Sequence, residues 1–144
     1  MNDIILHDVT QTNHELFVQT HCTNPLLRPE TIESAIETFQ SSSATSLFSV
    51  TPLQARLWDQ SYEPVNHERD QLLPTQELTP LYKENSNINM FTQAAVESRE
   101  NRISDTPEMF KMDAEEAVNI DEPIDFRMAE FLHEDRYGED PSLA

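Results

Sequence analysis

Residues 18–39, VQTHCTNPLLRPETIESAIETF, bring together side chains suited to binding at one place in the chain. An apolar strand runs into small polar residues, turns at Pro25 and continues as an amphipathic helix. Open α/β sheets present ligands in this way, at the carboxyl ends of their strands. His21, Thr23 and Asn24 form the polar edge. A neutral imidazole offers one donor and one acceptor there, and an asparagine before proline favours a turn in its own right. Phosphate sites usually rely on glycine to let backbone approach the ligand. This chain has one glycine, Gly138, near its end. The sequence therefore poses two questions: what the polar edge binds, and where a phosphate loop would lie.

Other chemistry is sparse. Cys22 lacks a His–Asp partner pattern and reads as a small buried core residue. His7, His14, His67 and His133 show no metal-ligand spacing. Nine basic against 27 acidic residues give a net charge of −18, which argues against binding a nucleic-acid polymer through a basic surface. Acidic groups could recruit a divalent cation, but an acidic surface more often serves solubility. A single cysteine excludes an internal disulfide and fits a reducing compartment. No apolar run is long enough to span a bilayer, and MNDIILHDV lacks the basic start of a signal peptide. The expectation is a soluble cytoplasmic protein with no membrane partner.

The elements that would position these residues follow from periodicity. With 144 residues the chain can bury one core. Residues 16–21 read as a strand, central because mostly apolar. Pro29 suits the first position of a helix, with Glu30 and Glu33 near the favourable end of its dipole. Ile32, Ala35, Ile36 and Phe39 recur at helical spacing, so that face covers the sheet. SLFSVT (46–51) is a second strand, and strand–helix–strand implies a right-handed crossover between parallel neighbours. From 52 to 82 the pattern weakens, with prolines at 52, 64, 74 and 80, as in an extended arm. A short strand is expected over 87–92, a weak helix from Gln93 to about Ser98, and another strand over 109–112. A last helix starts near Pro123 with Ile124, Met128, Phe131 and Leu132 as its apolar stripe. Residues 134–144 read as an acidic, frayed tail.

Three landmarks then line up in order. CTNPLLRPETI (22–32) resembles the Thr-Ser-Pro-Leu turn and following helix of acylneuraminate cytidylyltransferases, the CMP-sialic acid synthetases. LYKENSNINMF (81–91) is similar to that family's Tyr-x-Glu-Asn-Gly segment, and VNIDEPIDFRMAE (118–130) to its Asp-Ile-Asp metal motif with the trailing helix. The resemblance implies an α/β fold with a nucleotide-diphosphosugar transferase-like (Rossmann-like) mixed sheet, occupying residues 1–133. The arm at about 52–82 would form a homodimer, and 134–144 would be the tail. It implies transfer of CMP from CTP to a sialic-type nonulosonic acid, with release of pyrophosphate and Mg²⁺ assisting. Such enzymes open with a glycine-, lysine- and arginine-containing loop that cradles the triphosphate. On this reading the chain corresponds to roughly the carboxyl-terminal three-fifths of the family by usual domain sizes, and the phosphate loop lies in sequence that precedes it. Alone it would then be inactive, and the alternative is a non-catalytic remnant or an interaction module.

The resemblance carries roles residue by residue. Asp121 matches the second Asp of the metal pair, a hard oxygen ligand suited to Mg²⁺. Its other reading is the N-cap of the last helix. Asn119 stands at the first Asp and brings no charge. His21 occupies a position where the family often has a Gln contacting the sugar acid, and Thr23 and Asn24 replace Thr-Ser. Asn85 falls on an Asn near substrate, or serves its turn, and Ser86 replaces the adjacent Gly. Arg56, in RLWD, could pair with the sugar carboxylate or be an exposed arm residue. The family's Arg before Gln-Asp-Leu is not found ahead of Gln76-Glu77-Leu78, where Pro74 and Thr75 stand. No catalytic side chain is assigned.

Overall fold

The computed structural model describes residues 2–138, and most of the expected acidic tail, residues 139–144, lies outside them. The elements in chain order are α1 (Asn2–Thr10), β1 (Leu16–Thr20), α2 (Pro29–Ser41), β2 (Ser46–Leu53), β3 (Leu81–Thr92), α3 (Gln93–Arg99), β4 (Pro107–Lys111) and α4 (Pro123–Tyr137). One 3₁₀ turn, Thr75–Glu77, interrupts the long connection before β3. The strands form one mixed sheet in the order β1-β3-β2-β4. β3 runs antiparallel to both β1 and β2, and β4 runs parallel to β2.

Three strand expectations are corrected. β1 and β2 are parallel, but β3 lies between them, so they are not neighbours. β3 is twelve residues long, not the six of 87–92, which gives it length to pair β1 through 88–92 and β2 from 81 onwards. β1 is consequently an edge strand of this sheet, with Val18 exposed. Its apolar content had suggested a central place.

Helix α2 behaves as its periodicity predicts. Ala35 and Phe39 are buried with Leu47, Ile88, Met90 and Met112, and Ile32 and Ile36 pack against this core. A second, smaller cluster on α1 and α3 joins Ile5, Val9, Phe91 and Val96, with Phe17 stacked on Phe91. The sequence reading gave α1 no element, yet Ile5 and Val9 at i,i+4 anchor it. Helix α4 starts at Pro123 as expected and runs to Tyr137, through residues assigned to a frayed tail. Its expected apolar stripe does not become core: Ile124, Met128 and Phe131 are exposed, Leu132 is half-buried, and Ala129 is the buried residue, with Phe126 exposed as well. Ties at its two ends hold it, including Arg136 donating to the Leu26 carbonyl at 3.1 Å. Cys22 is exposed rather than buried, because it lies past the end of β1 where the chain turns away from the sheet. The segment between β2 and β3 is the irregular arm, closed by an isolated Trp58–Pro64 bridge. Among the described residues no helix is long and apolar enough to cross a membrane.

Candidate functional site

The parallel strands β1, β2 and β4 end on the same edge at which β3 begins, and three loops converge there. Residues 21–28 follow β1, residues 112–122 follow β4, and residues 84–87 lie at a bulge in β3. The register shift between Phe48 and Val50 frees Ser49 to bridge the bulge. Its hydroxyl donates to Asn85 Oδ1 at 2.5 Å and accepts the Ile88 amide at 2.9 Å. The Asn87 amide also donates to Asn85 Oδ1, at 3.3 Å. Between the two asparagines Ser86 takes φ 57°, the left-handed region that favours glycine.

Asn24 ties all three loops together. It is buried, and its Nδ2 donates to Asn87 Oδ1 at 2.8 Å, to the Val118 carbonyl at 3.3 Å and to Asn119 Oδ1 at 3.4 Å. The neighbouring Thr23 carbonyl accepts the Ile120 amide at 2.8 Å. Asn87 in turn donates to the Glu116 carbonyl at 2.6 Å. Segments 22–32, 81–91 and 118–130 therefore meet through direct hydrogen bonds.

The last loop is pinned at both ends. Asp125 Oδ2 accepts the amides of Glu122 at 2.8 Å and Asp121 at 3.1 Å, a side chain reaching back to the helix start. Glu122, not Asp121, is the N-cap residue of α4, so the capping alternative for Asp121 is corrected by one position. Upstream, Glu116 is almost fully buried, with its side chain 1% exposed, at the N-terminus of α2. It accepts the Arg28 amide at 3.0 Å, Arg28 Nε at 2.7 Å, Arg28 Nη2, and Thr31 Oγ1 at 3.0 Å. Burial pushes the Glu116 carboxyl up. The hydrogen bonds from Arg28 and Thr31, with the Arg28 charge, outweigh it and leave the pKa below the usual carboxylate range. Arg28 is raised in response, chiefly by its hydrogen bond to Glu116.

These loops enclose a cleft of about 540 Å³, lined in part by Thr51, Lys83, Asn85, Asn119, Asp121 and Asp125. Of the residues singled out in the sequence, Asn85, Asn119 and Asp121 line it, and Asn24 stands behind it as the tie. Thr23 contributes its backbone carbonyl to the same loop contact. His21 lies just past β1 with Nε2 buried and without a partner. Arg56 is elsewhere: it donates to the Leu73 carbonyl within the arm and does not line the cleft.

The cleft's fitness for Mg²⁺ turns on its donors. Asn119 Nδ2 donates to Asp121 Oδ2 at 2.6 Å while Asn119 Oδ1 accepts from Asn24. The amide thus presents hydrogen, not oxygen, to the carboxylate, and shared coordination would need it to flip. Among the described residues no three His, Cys, Asp or Glu side chains are grouped to hold an ion. Of the two residues the resemblance names for a metal, Asp121 is the one charged oxygen donor, and a Mg²⁺ there would have to take most of its ligands from phosphate and water.

The sequence reading missed Asn87, Ser49, Glu116 and Lys83. Asn87 carried one signal, since it follows Asn85 at the two-residue spacing that places both on one face of a strand.

No family model matches the chain, and no curated protein matches it. Among solved structures it is similar to a 4-diphosphocytidyl-2C-methyl-D-erythritol synthase from Anaerococcus prevotii, with a TM-score of 0.62 at 9% identity. The match covers 88% of this chain and 64% of that one, so the chain spans less than two thirds of that structure's length. The fold is thus an α/β fold with a mixed four-stranded sheet, and it resembles a nucleotide-diphosphosugar transferase-like structure.

Proposed function

We propose that the chain is the acceptor-side portion of a nucleotidyltransferase of the acylneuraminate cytidylyltransferase kind, which transfers CMP from CTP to a sialic-type nonulosonic acid. The observation that carries this reading is the Asn24 hub. It gathers the three segments that resemble the family's motifs around one cleft. In this reading Asn85 binds the sugar acid, the 21–24 loop backs the cleft through Asn24, and Asp121 reaches toward the nucleotide phosphates. Mg²⁺ held there would neutralise charge on those phosphates. The chain's own residues orient the acceptor and hold the loop that carries Asp121.

A titration with N-acetylneuraminate, followed through the side-chain amide signals of Asn24, Asn85, Asn87 and Asn119, tests this reading. The expected outcome is saturable shifts of the Asn85 and Asn119 signals, with N-acetylmannosamine, which lacks the carboxylate, giving none. Shifts confined to the arm, or no shifts at millimolar acid, overturn it.

A second reading, a non-catalytic interaction module, is favoured by the exposed apolar residues of α4 and the arm. Under that reading the same titration leaves the cleft signals still.

A further inference from the structure

We propose that Lys83 and Asn85 form a clamp for anionic oxygen in the cleft, and that its ligand is the carboxylate of the acceptor; this rests on the sugar-acid reading above. The two residues stand two apart at the start of β3, and both line the cleft.

Asn85 supplies an oriented donor. Ser49 Oγ accepts the Ile88 amide and so gives its proton to Asn85 Oδ1, which also receives the Asn87 amide. The oxygen of the amide is fixed by these two donors, which turns Nδ2 the other way. Nδ2 is buried with no partner, in a side chain more than nine-tenths buried. A buried donor left unpaired is costly, and an acceptor oxygen from a ligand removes that cost.

Lys83 supplies the charge. It is one of two lysines in the chain and the cation lining this cleft. Among the described residues no ion pair involves it. Three carboxylates, Glu84, Asp121 and Asp125, line the same cleft, and each already holds a partner. Glu84 pairs with Arg102 at 3.0 Å, Asp121 accepts from Asn119, and Asp125 accepts two backbone amides. A cation and an unpaired neutral donor on the wall of one cleft suit an oxygen anion better than a neutral hydroxyl. Phosphate oxygens share this chemistry, so the test separates the two sources.

Calorimetric titrations of the full chain with N-acetylneuraminate, its methyl ester and CMP, repeated on Lys83→Met and Lys83→Arg, decide the matter. Lys83→Met is expected to weaken the acid by about tenfold or more, with Lys83→Arg restoring most of it. The ester should bind wild type and Lys83→Met alike. Acid and ester binding wild type equally would overturn the clamp. Acid binding preferred over ester yet unchanged in Lys83→Met would also overturn it, while the sugar-acid reading stands. CMP binding that depends on Lys83, with no binding of the acid, overturns the carboxylate assignment together with that reading.

Discussion

Ser86 shows how a single residue records a backbone demand. Its φ of 57° sits between Asn85 and Asn87, at the bulge that Ser49 closes. A side chain in the left-handed region costs roughly 1–2 kcal/mol, while glycine gives back about 0.4–1 kcal/mol through the freer unfolded chain. Ser86→Gly should therefore stabilise the protein by about 0.5–1 kcal/mol, and Ser86→Val should destabilise it by more than that. Urea unfolding of the three proteins checks the order, and a Gly variant less stable than wild type contradicts it. The departure from glycine at this position was visible in the sequence, but its φ was not. Asn24, Asn85, Asn119 and Asp121 were legible because a motif resemblance named them. Ser49 and Glu116 were not, since each acts through a contact 36 or more residues away in sequence. A periodicity argument has no access to such pairs.

At the scale of elements, α2 shows how a distant carboxylate can complete a helix. Its N-cap residue, Arg28, makes no side-chain cap, and Glu116 accepts the N-terminal amide and the Thr31 hydroxyl instead. A negative group at that end is also favoured by the helix dipole. Because the Glu116 carbonyl accepts from Asn87, the same contact holds the loop that carries Asn119 and Asp121. Glu116→Gln should cost about 1–3 kcal/mol, as a charge-assisted set of bonds becomes a neutral one. Arg28→Ala should cost more, since it leaves a buried carboxylate without its counter-charge. The pH dependence follows from the lowered Glu116 pKa. A carboxyl depressed on folding stabilises fully above its unfolded value near 4.5, and that stability is lost as pH falls through the lower folded value. Thermal melts of wild type and Glu116→Gln from pH 7 downward should therefore converge in acid. Parallel curves would mean that the charge of Glu116 contributes nothing. Helices α2 and α4 were legible because proline opens each and apolar residues recur within it. The order of the strands was not, because no local pattern shows that a third strand inserts between two parallel ones.

The whole molecule combines a net charge of −18 with an unusual share of exposed apolar side chains. In the arm, Tyr62 is 81% and Leu72 88% exposed, with Trp58, Val65 and Leu73 nearby in the chain. On α4, Ile124, Phe126, Met128 and Phe131 stand out in the same way. Small monomers rarely leave so much apolar surface in contact with water. We propose that the chain self-associates through the arm, and the charge then sets the conditions. Copies each carrying −18 repel one another, and salt screens that repulsion over a Debye length of about 8–10 Å. Association should accordingly tighten as ionic strength rises, the opposite of what a contact built on ion pairs would do. Sedimentation at micromolar protein is expected to show a dimer or larger species whose fraction grows between low and physiological salt. Tyr62→Asp with Leu72→Asp should shift it to monomer without lowering thermal stability by more than about 0.5 kcal/mol, because positions as exposed as these have little packing to lose. A wild-type monomer across that salt range would mean the arm leaves these side chains in water. If the double variant stays associated, α4 is the contact instead, since it carries the other apolar face of the described chain.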